Sequence, residues 1–219
     1  MANQFEAVFG RFIESIGGQV LPRSADESAD FAFRADNVVI ELKTLERDVR
    51  ADHADKLGKL VNEWARRGLV RIYGRATIDL QKLPLECQRE WLDILEGPIE
   101  GIVRKANRQI RSTKARERLP SAKGLLLIVN DGNLLHTAPA EYVNLVARVL
   151  KKKGPGGGVK FPDIRGIVYF SYRVVAAGDS RLFWAPGTID PTADADLQAF
   201  QFRLGNEWFA YYSKLLRGT

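Results

Sequence analysis

Cysteine, histidine and methionine are scarce in this 219-residue chain, which holds one Cys, one Met and two His. Cys87 stands alone and has no partner for an internal disulfide, so a reducing compartment is the expectation. His53 and His136 are far apart in sequence, and neither belongs to an HExxH or to a metal-spaced Cys/His set, so zinc has no signature. His53, with Asp52 and Asp55 nearby, reads as a surface residue. No GxSxG elbow is present, and no motif around Cys87 marks a nucleophile. Long apolar runs are missing as well: Leu125 to Val129 falls far short of the roughly 20 residues that cross a bilayer. The opening Met-Ala-Asn-Gln-Phe-Glu has neither the basic nor the apolar region of a leader, and a soluble, cytoplasmic protein with no membrane partner is expected.

What is present describes an ordinary folded chain, with 45% hydrophobic and 10% aromatic residues, long enough to bury a core in one domain over 1–219. The net charge of +6 is unevenly spread. Between Arg104 and Lys123 eight basic side chains face one acid, Glu117, a local charge of +7 that leaves −1 for the rest. Such a concentration points to a polyanionic partner. On a helix, Val103, Ala106 and Ile110 form an apolar stripe, Arg104, Arg108 and Arg111 run along another side, and Lys105, Gln109 and Arg116 fall on a third. A helical segment over 99–118 could thus dock through its stripe and present Lys105, Arg108, Gln109, Arg111, Lys114 and Arg116 to phosphates. A solvated helix whose charges serve solubility is the competing reading.

Residues 30–43 carry the most specific chemistry. Phe31 and Phe33 alternate with Ala32, and Val38, Ile40 and Leu42 alternate with Val39, Glu41 and Lys43, the period of two expected of strands. Ala35-Asp36-Asn37 supplies a turn. A hairpin over 28–45 then brings Asp30, Glu41 and Lys43 to one place, with Glu41 and Lys43 two residues apart on one face. Two carboxylates offer hard oxygen ligands to Mg2+, and a Lys can orient an attacking water and offset charge on a phosphorane.

On these residues the chain resembles the PD-(D/E)xK nuclease superfamily, whose motif maps onto Asp30 and then Glu41-Leu42-Lys43, with Ala29 where the family has Pro. The resemblance implies a restriction-endonuclease-like α/β fold, a mixed β-sheet flanked by helices. It implies Mg2+-dependent (or Mn2+-dependent) hydrolysis of phosphodiester bonds, with DNA as the expected polymer. Asp30 and Glu41 would bind metal, the Leu42 carbonyl would add a ligand, and Lys43 would assist the attacking water. Glu6, on an amphipathic first helix over 3–16, would be a further ligand or reach the metal through water in the manner of the family, with a solvated first-turn acid favoured by the helix dipole as the competing reading, and Gln109 or Lys105 would approach Lys43 from a later helix. A homodimer would bring two such sites to the two strands of a duplex. A binding or scaffolding module on the same fold, with Asp30, Glu41 and Lys43 reduced to an ion-pair cluster, stays open.

The remaining patterns predict an α/β core. Strands are expected at 19–23, over Leu69 to Leu80 singly or as a pair, at 124–129, at 164–175 and at 182–184. Helices are expected at 46–67, from Pro84 onward, at 139–153 and at the carboxyl end around Trp208, Phe209, Tyr212 and Leu215. Gly97-Pro98 is expected to break or kink the helix entering the basic segment. Gly154 to Gly158 reads as a flexible surface hinge without a P-loop pattern.

Overall fold

Phe5, Phe9, Phe12 and Ile13 recur at helical spacing and form the buried stripe of α1 (Gln4–Ser15). The computed structural model of the chain describes residues 4–22, 28–71, 78–133, 139–171, 184–190 and 192–217. Among the described residues six strands follow in sheet order as they do in sequence: β1 (Gln19–Val20), β2 (Phe31–Phe33), β3 (Val38–Leu45), β4 (Lys123–Asn130), β5 (Ile164–Ser171) and β6 (Trp184–Thr188). β1, β2 and β3 form an antiparallel meander, β3, β4 and β5 are parallel, and β6 returns antiparallel. The architecture is α/β, an open mixed sheet flanked by helices.

Helices supply the crossovers that parallel neighbours require. α2 (Arg50–Arg66) and α3 (Leu85–Arg116) separate β3 from β4, α4 (Pro139–Leu150) separates β4 from β5, and α5 (Ala195–Arg217) closes the chain. The central strands β3, β4 and β5 divide their side chains between two cores. Val38, Ile40 and Leu42 join Leu125, Leu127 and Val129 under α1 and α5, whereas Val39 joins Leu126 and Ile128 under α3 and α4. β4 is buried along nearly its whole length because both of its faces are covered. At Gly124 a Cβ would stand 2.0 Å from the Asp163 carbonyl and 2.8 Å from Ile110, so the close approach of the backbone before β5, with α3 beside it, needs glycine. Between β2 and β3 the chain turns through 34–37, where Asn37 takes φ 54°, a conformation Asn tolerates better than most residues.

Several expectations change. α3 is one helix of 32 residues that runs through Pro98. Glu96 is buried two residues before the proline, and Ile99 and Val103 are buried one and five residues after it, so packing holds the axis where an amide is missing. Leu69–Arg71 and Ile78–Asp79 form no strand, and 72–77 lie outside the described residues. α2 begins at Arg50 rather than 46, and α4 ends at Leu150. β5 is described only to Ser171, and of 182–184 only Trp184 is described, as the start of β6. Gly154 to Gly158 is a tight hydrogen-bonded turn: Gly154 N donates to the Gly158 carbonyl at 2.8 Å, Lys153 bridges Val159, and Lys160 N donates to the Lys152 carbonyl at 3.0 Å. His53 is buried, 4% exposed, with Nδ1 3.0 Å from the Val49 carbonyl, and it lines a cleft together with Ile99 and Tyr142. Among the described residues no helix is long and apolar enough to cross a membrane.

Candidate active site

The alternation of β3 that sends Val39 toward α3 sends Glu41 and Lys43 the same way, so two charged side chains face a helix. Glu41 is 1% exposed. Lys43 Nζ donates to Glu41 Oε1 and, at 2.9 Å, to Gln109 Oε1 of α3. Glu41 Oε2 is buried and accepts no hydrogen bond.

Asp30 enters from the neighbouring strand. The β2–β3 ladder pairs Phe31 with Ile40, and the Asp30 amide also donates to the Ile40 carbonyl, at 3.2 Å, which turns the Asp30 side chain toward the next residues of β3. Its Oδ2 accepts from the Leu42 amide at 2.8 Å. The Asp30 carboxyl lies near that of Glu41, close enough for the charge of Asp30 to raise the pKa of Glu41. Burial raises the pKa of Asp30, against the Leu42 amide and Lys43, which lower it. Burial, then the charge of Asp30, pushes Glu41 up to about 8 despite Lys43. Two acids held together out of water are unfavourable in a fold without further use for them. Near neutral pH the pair retains a proton that a cation could replace.

A cleft of about 320 Å³ opens beside Asp30, lined by Glu6, Ala7, Val20, Leu21, Phe31 and Leu42. Glu6 is close enough for its charge to raise the pKa of Asp30 further. Among the described residues no three His, Cys, Asp or Glu side chains converge on one cation position. The donor set is instead a carboxylate pair with Glu6 at its margin and backbone beside it at Leu42, which suits Mg2+, an ion that keeps several waters and takes one or two carboxylates. The donorless Glu41 Oε2, buried in an acid pair, is the atom that most needs such an ion.

No protein-family model, curated protein or solved structure matches this chain.

The basic segment divides. Gln109 reaches the site, and Lys105, one turn earlier on the same side of α3, is exposed, as is Arg108. Arg111 and Lys114 turn away to Asp163, at 2.9 and 3.5 Å, ahead of β5. Arg116 pairs with Glu117, which also holds Arg34 at the turn between β2 and β3, the far end of the hairpin from Asp30. Three of the six residues expected to meet phosphate are therefore engaged in ion pairs, two of them joining α3 to the segment before β5. Thr113 was not singled out by the pattern, yet its Oγ1 accepts from the Ala29 amide at 2.7 Å, next to Asp30. Its spacing of four from Gln109, which puts both on adjoining turns of one helix face, is the signal that points to it.

Proposed function

We propose that this protein is a metal-dependent nuclease of restriction-endonuclease-like fold, hydrolysing phosphodiester bonds in DNA at Asp30, Glu41 and Lys43. The observation that carries the reading is the buried Asp30–Glu41 pair with Lys43 bound between Glu41 and Gln109. Support also comes from the order of elements, a helix and a three-stranded meander followed by a crossover to a parallel strand, which sets the motif at the seam between antiparallel and parallel pairing.

Asp30 and Glu41 would hold Mg2+ or Mn2+, with the Leu42 carbonyl as a further oxygen and Glu6 at the margin. The ion would supply Lewis acidity at the phosphate and a nucleophilic water at neutral pH. Glu41 would hold the ion only as a carboxylate, without the proton that its raised pKa keeps near neutral pH. Lys43 stays anchored by Gln109 and presents its ammonium to the attacking water and to the charge that grows on the phosphorane. Lys105 and Arg108 contact the backbone of the polymer and contribute salt-dependent affinity. The test is cleavage of circular duplex, linear duplex, single-stranded DNA and RNA with Mg2+, Mn2+ or EDTA, by wild type, Asp30→Asn and Lys43→Ala. Metal-dependent cleavage lost in both variants supports the reading.

One observation favours a second reading, a catalytically inactive nucleic-acid-binding module: Lys43 and Glu41 already satisfy each other as an ion pair. Such a module holds DNA equally well with Mg2+ or EDTA and cleaves under neither condition.

A further inference from the structure

Asp30 sits on backbone that α3 grips at both preceding residues. The Ser28 carbonyl accepts from Gln109 Nε2 at 3.0 Å, and the Ala29 amide donates to Thr113 Oγ1 at 2.7 Å. Thr113 is wholly buried and Ala29 is 1% exposed, so neither partner of this bond has water as an alternative. Beyond Asp30 the chain is fixed by the sheet, through the Leu21 amide on the Asp30 carbonyl at 2.8 Å and the Asp30 amide on Ile40. Asp30 is thus the junction between a stretch held by the helix and a stretch held by strands.

Position 29 is where the motif this chain resembles carries proline. A proline has no amide to satisfy and its ring fixes φ. An alanine leaves a buried donor and a freer backbone directly before the acid. We infer that Thr113 is the positioning residue of Asp30: its hydroxyl takes the Ala29 amide and fixes the backbone there, so that Asp30 Oδ2 meets the Leu42 amide and the carboxyl lies against Glu41. Gln109 works from the same helix face one turn away, joining the Ser28 carbonyl to Lys43, so one face of α3 sets both the acid and the base side of the site. The metal-binding consequence rests on the nuclease reading, whereas the placement of Asp30 does not.

The experiment compares wild type, Thr113→Val and Thr113→Ser, and repeats Thr113→Val in an Ala29→Pro background, which has no amide at 29. Two readouts are taken. Hydrogen exchange at the Leu42 amide of the metal-free protein, referred to the core amides of Leu126 and Leu127, reports whether Asp30 Oδ2 is in place. Titration with Mn2+, by direct binding and by cleavage, reports the competence of the acid pair. Expected are at least tenfold faster exchange at Leu42 and at least tenfold weaker Mn2+ binding in Thr113→Val, with core exchange unchanged. Thr113→Ser stays within twofold of wild type, and Thr113→Val costs less than twofold when Pro occupies position 29. Unchanged Leu42 exchange in Thr113→Val, or an equal loss in the alanine and proline backgrounds, overturns the inference. If wild type neither binds Mn2+ nor cleaves, the nuclease reading fails while Leu42 exchange still decides the role of Thr113.

Discussion

Lys43 Nζ lies 2.9 Å from Gln109 Oε1, a bond between residues 66 positions apart that ties the end of the hairpin motif to the basic helix. It keeps the ammonium in place when Glu41 is drawn toward a cation. Lys43→Ala is therefore expected to lower kcat by about 100- to 1000-fold, the usual loss when one preorganised donor is removed. Affinity for DNA, measured in Ca2+ to suppress cleavage, changes less than threefold, since exposed cations on α3 carry the binding. Equal loss of both quantities would sink this division of labour.

The acid pair makes metal-free stability depend on pH in an unusual direction. Glu41 keeps its proton to about pH 8 when folded, against 4.5 for an ordinary glutamate, so the folded state holds more protons across that window. Its contribution is complete below about 4.5 and is lost as pH rises through about 8. Thermal unfolding in EDTA is expected to show Tm falling from pH 6 to pH 9, by about 2 to 4 °C for each kcal/mol in a chain of this size. Saturating Mg2+ removes the fall, and Glu41→Gln flattens it without metal. A metal-free Tm that rises over the same range would contradict the raised pKa.

The division of the basic segment predicts two classes of variant. Lys105→Ala, at an exposed position one turn from Gln109, is expected to weaken DNA binding and to reduce the slope of log K against log salt by about one. Arg111→Ala removes an ion pair with Asp163 and leaves that slope unchanged, while costing about 1 kcal/mol of stability because the Arg111 side chain is largely exposed and Lys114 still pairs with Asp163. Binding isotherms at four salt concentrations separate them.

Trp208 packs against Phe5, Phe9, Phe12 and Phe170 and joins α5 to α1 over the sheet face opposite α3. Trp208→Ala is expected to cost about 3 to 5 kcal/mol, as buried aromatic truncations do, while a Trp208→Phe change costs less. Because this core lies behind the sheet from Glu41 and Lys43, the folded fraction of Trp208→Phe retains the metal requirement of wild type in a cleavage assay.

Much of this arrangement is legible in the sequence. The period of two places Glu41 and Lys43 together, the turn residues bring Asp30 across, and the stripe of Val103, Ala106 and Ile110 seats the helix that delivers Gln109. These signals are local, and local geometry follows from spacing. What the sequence does not disclose depends on partners distant in the chain. Arg111 and Lys114 look available until Asp163, some fifty residues later, arrives beneath them. His53 looks exposed between acids, yet the tertiary packing of α2 buries it. Pro98 reads as a break because propensity speaks for the isolated helix, and contacts on both sides override it. Thr113 carries no charge and draws no notice, since its importance lies in one buried amide.

Among the described residues, the two outer strands of the sheet have a consequence for how copies of this chain could meet. β1 has two residues, and β6 carries Pro186 opposite Val168, so one edge is very short and the other lacks an amide at its centre. Short edges and prolines are what keep sheets from growing by adding a strand from another molecule. Growth of the described sheet by a strand from a second copy is therefore disfavoured at both of these edges.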